Sequence, residues 1–192
     1  MENIKLKNEI VCLKVMDEND IDGIFEASKD ESIWQHMTQN IAMKEDVIHY
    51  VQKSLMAKEQ ETEIPFVIIN QKTNQIIGST RLMDINLEHK RLEIGYTWLH
   101  PNFWRTAINT NCKYLLLRYC FENINLQRVQ LKTDHANLRS QKAIERIGAI
   151  KEGILRNHMI RQDGSVRHTV MYSITKEQWP EVKEHLQHLM SQ

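Results

Sequence analysis

Residues Arg128 to Ala149 constrain the fold of this 192-residue chain more than any other segment. Val129, Leu131 and Thr133 alternate with Gln130, Lys132 and Asp134, the period of a strand with one buried face. Ala143, Ile144 and Ile147 then recur at helical spacing, and Gly148 stands where a helix stops in the left-handed conformation. Between strand and helix lie two small polar residues, Asn137 and Ser140. The C-terminal end of a strand is where open α/β sheets bind ligands.

The flanking sequence fits the same architecture. One strand is expected over Ile4 to Lys14, followed by a helix cap at Asp17 and a helix face made by Ile21, Ile24 and Phe25. Asp46 to Lys58 reads as a helix with Val47, Tyr50, Val51 and Leu55 on one side. Pro65 to Ile69, a turn over Asn70 to Asn74, and Ile76 to Met83 read as a hairpin. A strand over Arg91 to Leu99 and a helix from Thr110 to Glu122 precede the opening segment. The helix carries a core stripe of Cys112, Leu115, Leu116, Tyr119 and Cys120. After Ala149 two strands joined at Asp163-Gly164 are expected, then a helix capped by Thr175 and running through Glu181 to Leu189. With only three prolines and six glycines there is no linker signal, so residues 1–192 read as a single domain.

Lysine plus arginine equals aspartate plus glutamate at 25 each, so no global field draws the chain to nucleic acid or an anionic membrane. Three cysteines without a C-x-x-C pair suit reduced thiols, and the first residues lack the apolar core of a signal peptide. The expected location is the cytoplasm. Nine histidines raise the question of a metal, but His185 and His188 have no acids or cysteines at ligand spacing, and none is expected.

The pattern T-D-x-x-N-x-x-S-x-x-A-I-x-x-x-G-A over residues 133–149 resembles the GNAT superfamily of acetyl-coenzyme A-dependent N-acetyltransferases, in the branch that includes the ribosomal-protein N-terminal acetyltransferases. Leu92 to Pro101, Glu152 to Arg156, Asp163-Gly164, Val170 to Ile174 and Glu177 to Pro180 are similar to that branch in the same order. The resemblance implies an α/β (α+β) fold: a mixed, mostly antiparallel central sheet of about seven strands with helices on both faces. It implies acetyl transfer from acetyl-CoA to a primary amine, a protein N-terminus or a small molecule, by direct attack in a ternary complex. A homodimer would be in keeping with the family. The alternative is a catalytically silent coenzyme A-binding or protein-interaction domain.

Coenzyme A carries a pyrophosphate, which unpaired amides at a helix N-terminus hold well. The family does this with a glycine-containing loop after its central strand. Here the aligned residues are Trp104, Arg105, Thr106, Ala107, Ile108 and Asn109, with neither glycine. Ala107 adds one methyl group, asparagine tolerates the left-handed region, and Arg105 offers a direct phosphate contact. The resemblance further implies that Asn137 and the backbone of Trp98 and Leu99 contact the pantetheine arm. Arg139, Lys142 and Arg146 are within reach of phosphates, or equally a solvated helix face.

For catalysis, many relatives place a tyrosine acid four residues before the helix-ending glycine. That position is Ile144 here; the resemblance to the ribosomal-protein branch implies that Ser140, which matches a serine of that branch, assists the leaving sulfur, unless it simply caps its helix. Glu93 is the first choice of base, acting through water, with a buried ion pair as the plainer role. His158 is the second choice, beside Met159 where the branch carries an acid. Trp34, His36, Met37 and Tyr172 are expected to shape the acceptor pocket, unless they merely pack.

Overall fold

The computed structural model describes residues 4–37, 39–161 and 163–192. Eight strands form one sheet in the order β1-β2-β3-β4-β5-β6-β8-β7. They are β1 (Lys5–Lys7), β2 (Val11–Val15), β3 (Ile64–Asn70), β4 (Gln75–Asn86), β5 (Arg91–Leu99), β6 (Arg128–Asp134), β7 (Ile150–Ile160) and β8 (Val166–Thr175). All neighbours run antiparallel except β5 and β6. The helices are α1 (Ile21–Ser28), α2 (Lys44–Glu59), α3 (Ala107–Arg118), α4 (Leu138–Arg146) and α5 (Trp179–Met190). This is the mixed, mostly antiparallel sheet with helices on both faces.

Three boundaries differ from the sequence expectation. The strand expected over Ile4 to Lys14 is a hairpin, because Asn8 Oδ1 accepts from the amides of Ile10 and Val11 at 3.0 Å each and turns the chain. The sheet accordingly has eight strands where about seven were expected. Helix α3 starts at Ala107, before the expected Thr110, because Thr106 Oγ1 caps it by accepting from the Ile108 amide. Thr175 does not cap the last helix. It ends β8, and its amide donates to Gln178 Oε1 at 2.9 Å.

Two hydrophobic clusters lie on opposite faces. Met16, Ile24, Trp34, Val47, Val51, Val67 and Trp98 fill the face under α1 and α2. The larger cluster packs α3, α4 and α5 on the other face, with Leu116, Phe121, Ile144, Ile147, Trp179 and Leu186. Phe121 stacks on Trp179 with ring centroids 5.4 Å apart, which ties the end of the α3 segment to α5. Burial on both faces explains why β3 reads as an unbroken apolar run.

The central feature is a parting of the sheet. Strands β5 and β6 pair only at Arg91↔Arg128, Leu92↔Val129 and Glu93↔Gln130. Beyond that point β5 stays with β4 as far as Gly78↔Leu99, and β6 stays with β8 as far as Asp134↔Thr169. A bulge accompanies the separation: Ser79 opposes Trp98 and Arg81 opposes Gly95, so Thr80 alone faces Tyr96 and Thr97. Tyr96 takes φ +46° to accommodate the extra residue. Such a bulge bends and twists its strand locally.

Gly148 ends the α4 turn at φ +91°, and a Cβ there would lie 3.0 Å from Val182 Cγ2 on α5. Replacing Gly148 by alanine is expected to cost about 1–2 kcal/mol for the left-handed backbone alone. Urea unfolding would show this as a lowered midpoint with unchanged slope.

Candidate active site

The parting holds a cleft of about 460 Å³, lined from β5, β6, the α3 and α4 N-termini and the segment after α1. That volume lies in the range of small-molecule sites. Of the residues expected at the site, Glu93, Trp98, Leu99, Trp104, Arg105, Thr106, Asn109, Asn137, Ser140, Arg146, His36 and Met37 all line it.

At one end the chain leaves β5, passes through Trp104 and enters α3. Arg105 carries the left-handed residue of this turn, φ +61°, and Thr106 is the N-cap. Ala107 and Asn109 are helical, so neither position requires a glycine. The loop has simply moved its one left-handed residue onto an arginine. The first amides of α3 have no intrahelical partner, and among them Ile108 is already bonded to Thr106 Oγ1 at 3.3 Å. Ile108 therefore offers no amide to a ligand, and its side chain belongs to the core. Neither Ala107 nor Ile108 presents a side chain to the cleft.

Trp104 braces this end. Its Nε1 donates to the Leu99 carbonyl at 2.8 Å, and the Arg139 guanidinium lies 3.8 Å from its ring centroid. The Leu99 carbonyl is thus occupied, and the cation–π contact ties the entrance of α4 to the loop before α3. Burial, with Arg105 adding to it, pushes the Arg139 pKa below its usual value. Asn137 Oδ1 accepts from the Ser140 amide at 3.0 Å and so caps α4. Ser140 is consequently not the cap; it sits one turn before Ile144 on the face of α4 that meets the cleft.

Of two further cations here, one was left open in sequence and one was missed. Arg139 was left between phosphate contact and solvated surface. Lys113 was passed over altogether; it is only 5% exposed, lines the cleft from α3, and donates to Thr97 Oγ1 at 2.7 Å. Its spacing of four from Asn109, another cleft residue, is the signal that would have found it. Desolvation lowers its pKa to about 8. Arg105 and Arg139 bring two cations to this end, and Lys113 and Arg146 also line the cleft. Among the described residues the cleft's acids are Glu93 and Asp134, and both are paired.

At the other end Glu93 is 1% exposed, 3.0 Å from Lys132 Nζ, and accepts from Gln130 Nε2 at 3.3 Å. Desolvation raises its pKa, opposed by Lys132. Gly95 makes room for it, since a Cβ at 95 would lie 2.8 Å from Glu93 Oε1. Arg161 holds Asp134 through contacts of 2.7 and 3.0 Å, and against the burial that pushes it up keeps its pKa at about 2. Met83, Tyr96, Met159 and Arg167 also line the cleft.

Three expected residues lie elsewhere. His158 does not line the cleft; its Nδ1 is 3.0 Å from Thr169 Oγ1, while its neighbour Met159 faces in, as alternation on a strand requires. Tyr172 is fully buried in the main core, donating to Glu145 Oε1 at 2.9 Å. Burial, together with Glu145, raises its pKa to about 12. Trp34 donates through Nε1 to the Ser28 carbonyl and packs against Trp98 at 5.4 Å, supporting the cleft wall from behind. No group of metal-ligating side chains occurs among the described residues.

A split parallel pair with a helix start at its mouth defines an acyltransferase fold. Residues 11–150 match the family described as Acetyltransferase (GNAT) domain. The chain belongs to this family and is an N-acetyltransferase. It is 27% identical over 172 residues to the uncharacterized N-acetyltransferase YoaA of Bacillus subtilis (strain 168), covering 89% of this chain and 96% of that protein. It is 31% identical over 104 residues, 54% of this chain and 56% of the other, to YdaF of the same organism, which is named as a candidate ribosomal N-acetyltransferase. The fold superposes with a TM-score of 0.79 on the microcin C7 self-immunity acetyltransferase MccE, whose crystal structure is a complex with acetyl-CoA and AMP. That pair is 20% identical, with 88% and 93% of the two chains covered. No described helix is long and apolar enough to cross a membrane.

Lys113 generates a stability prediction. Its folded pKa of about 8 lies below the ordinary 10.5, so charging it at this buried position costs on the order of 3 kcal/mol at neutral pH. Between those values the unfolded chain binds a proton that the folded chain does not, and ligand-free stability rises with pH. Lys113→Met is expected to melt higher than the parent at pH 7, with the difference shrinking towards pH 10. Coenzyme A should stabilise the variant less than the parent. Calorimetric melting with and without coenzyme A measures both.

Proposed function

We propose that this single domain transfers the acetyl group of acetyl-CoA to a primary amine by direct attack in a ternary complex. One observation supports this most: a continuous cleft runs between the parted strands from a cationic end to a buried carboxylate. The cationic end matches the phosphates of coenzyme A, with Arg105, Arg139 and Arg146 as their partners and free α3 amides beside them. The unpaired edge of β5 around Trp98 matches the amide-bearing pantetheine arm. Asn137, whose Oδ1 is spent on the cap, keeps its Nδ2 donors for the same arm.

The chemistry needs little more. The amine nitrogen attacks the thioester carbonyl, the carbon–sulfur bond breaks, and a proton leaves the nitrogen. Glu93 takes that proton through water as the base. Thiols have a pKa near ~8.5, so the sulfur departs with modest help, and the Ser140 hydroxyl supplies it. His36 and Met37 contribute to the acceptor wall. Location in the cytoplasm and a pair of copies in solution both accord with this reading.

Acetyl-CoA is expected to raise the melting temperature, and a panel of amines to release free thiol from it. Glu93→Gln should keep the cofactor-induced shift while kcat falls by about 10²-fold or more, the usual contribution of a general base. Stabilisation without thiol release for any amine would favour a silent binding domain; no stabilisation would remove the cofactor. Lys132 lowers the Glu93 pKa, so Lys132→Gln should raise it further. The acid limb of the kcat/KM profile would then move to higher pH, whereas an unchanged limb would exclude Glu93 as the titrating base.

A further inference from the structure

At the acceptor end of the cleft one buried cation has no direct hydrogen-bond or ion-pair partner for its Nε among the described residues. Arg167 on β8 is 8% exposed and lines the cleft opposite Met159, its partner in the β7–β8 register. Its buried Nε–H has no hydrogen-bond partner among the described residues. Buried donors in folded proteins are almost always satisfied, and a buried charge without a partner is costly. The nearby acids are already committed. Glu93 is held by Lys132 and Gln130, and Asp134 by Arg161 through two contacts. Asp134 and Glu93 act on Arg167 only through charge attraction without a hydrogen bond, so a directly bonded anion is left for the ligand to supply.

We propose that Arg167 is the receptor for a carboxylate carried by the acceptor amine, so that the enzyme selects acidic amines. This rests on the acetyl-transfer reading of the same cleft. A guanidinium presents a planar fork that matches a carboxylate in two parallel hydrogen bonds. A phosphate would call for a second free cation, and at this end Lys132 and Arg161 are both engaged. The surrounding walls of Met83, Tyr96 and Met159 exclude water from the pair, which strengthens it. With Arg167 fixing the carboxylate, the amine of the same molecule is left to approach Glu93.

The test compares matched amines. One arm uses short peptides that begin with glutamate or aspartate against twins that begin with glutamine or asparagine. The second uses free amino acids against their α-amides. The parent enzyme is expected to favour the charged twin in at least one arm by about tenfold or more in kcat/KM, because a site built for a polar group rejects the analogue that leaves it unpaired. The arm that shows the preference identifies the source of the carboxylate. Arg167→Gln should remove the preference by slowing the charged twin alone, and Arg167→Lys, which keeps the charge without the fork, should retain part of it. Equal use of both twins by the parent, or an equal loss on both in Arg167→Gln, overturns the proposal. If no amine is acetylated, the activity reading fails separately. Calorimetric titration of the twins into the coenzyme A-loaded parent then decides this one: tighter binding of the charged twin upholds it, and equal binding overturns it.

Discussion

Everything in this site depends on two parallel strands that stay together for three residue pairs and then separate. A sheet that parts leaves backbone N–H and C=O groups inside the protein without strand partners, and buried backbone groups must find partners somewhere. The separation is tolerable because each strand is secured on its far side, β5 by β4 and β6 by β8. The bulge at Tyr96 turns β5 away, and the left-handed conformation of a non-glycine residue there carries strain of about 1–3 kcal/mol. Arg81 stacks against the Tyr96 ring at 4.9 Å and holds the bulged residue in place. The unpaired inner edges of β5 and β6 are therefore open to a ligand that carries its own amides.

Charge follows the same geometry. The chain as a whole is neutral, yet Arg105, Lys113, Arg139 and Arg146 all line the cleft. Both cleft acids are compensated near the other end by Lys132 and Arg161. A neutral protein can thus present a strongly polarised site, because like charges are concentrated where a ligand will neutralise them. Lys113 adds a separate cost, since its burial among protein atoms depresses its pKa. Arg105 combines both themes: it adopts the strained backbone of the turn and carries the charge a phosphate would meet.

The central strands were legible because their residues alternate. Arg91–Leu99 and Arg128–Asp134 fall where the sequence placed them. The first hairpin was hidden by local chemistry, since Asn8 makes a turn with its own side chain in the middle of an otherwise strand-like run. The glycine-free loop concealed its conformation for a related reason. Glycine or asparagine is the usual choice for positive φ, and the structure uses Arg105. Tyr172 was assigned to the wrong environment because β8 is covered on both faces, and His158 because alternation on the edge strand β7 turns its neighbour Met159 to the cleft instead; periodicity tells which residues share a face but not which face opens on the cleft. Lys113 and Arg167 escaped for the complementary reason: in a sequence a cation reads as solvent-exposed, and only the fold reveals that these two are buried.

The same geometry narrows the role of Ser140. While its sequence position allowed either a helix cap or a catalytic contact, one residue cannot readily serve both, because a cap spends its oxygen on a backbone amide. In the fold that oxygen comes from Asn137, and Ser140 is the recipient through its own N–H. Ser140 lines the cleft one turn before Ile144, the position from which many relatives extend a tyrosine. A helix rises about 5.4 Å per turn, so a serine one turn nearer the N-terminus reaches a different depth than the longer tyrosine does. Because Asn137 supplies the cap, Ser140 stands at the cleft wall without a capping role.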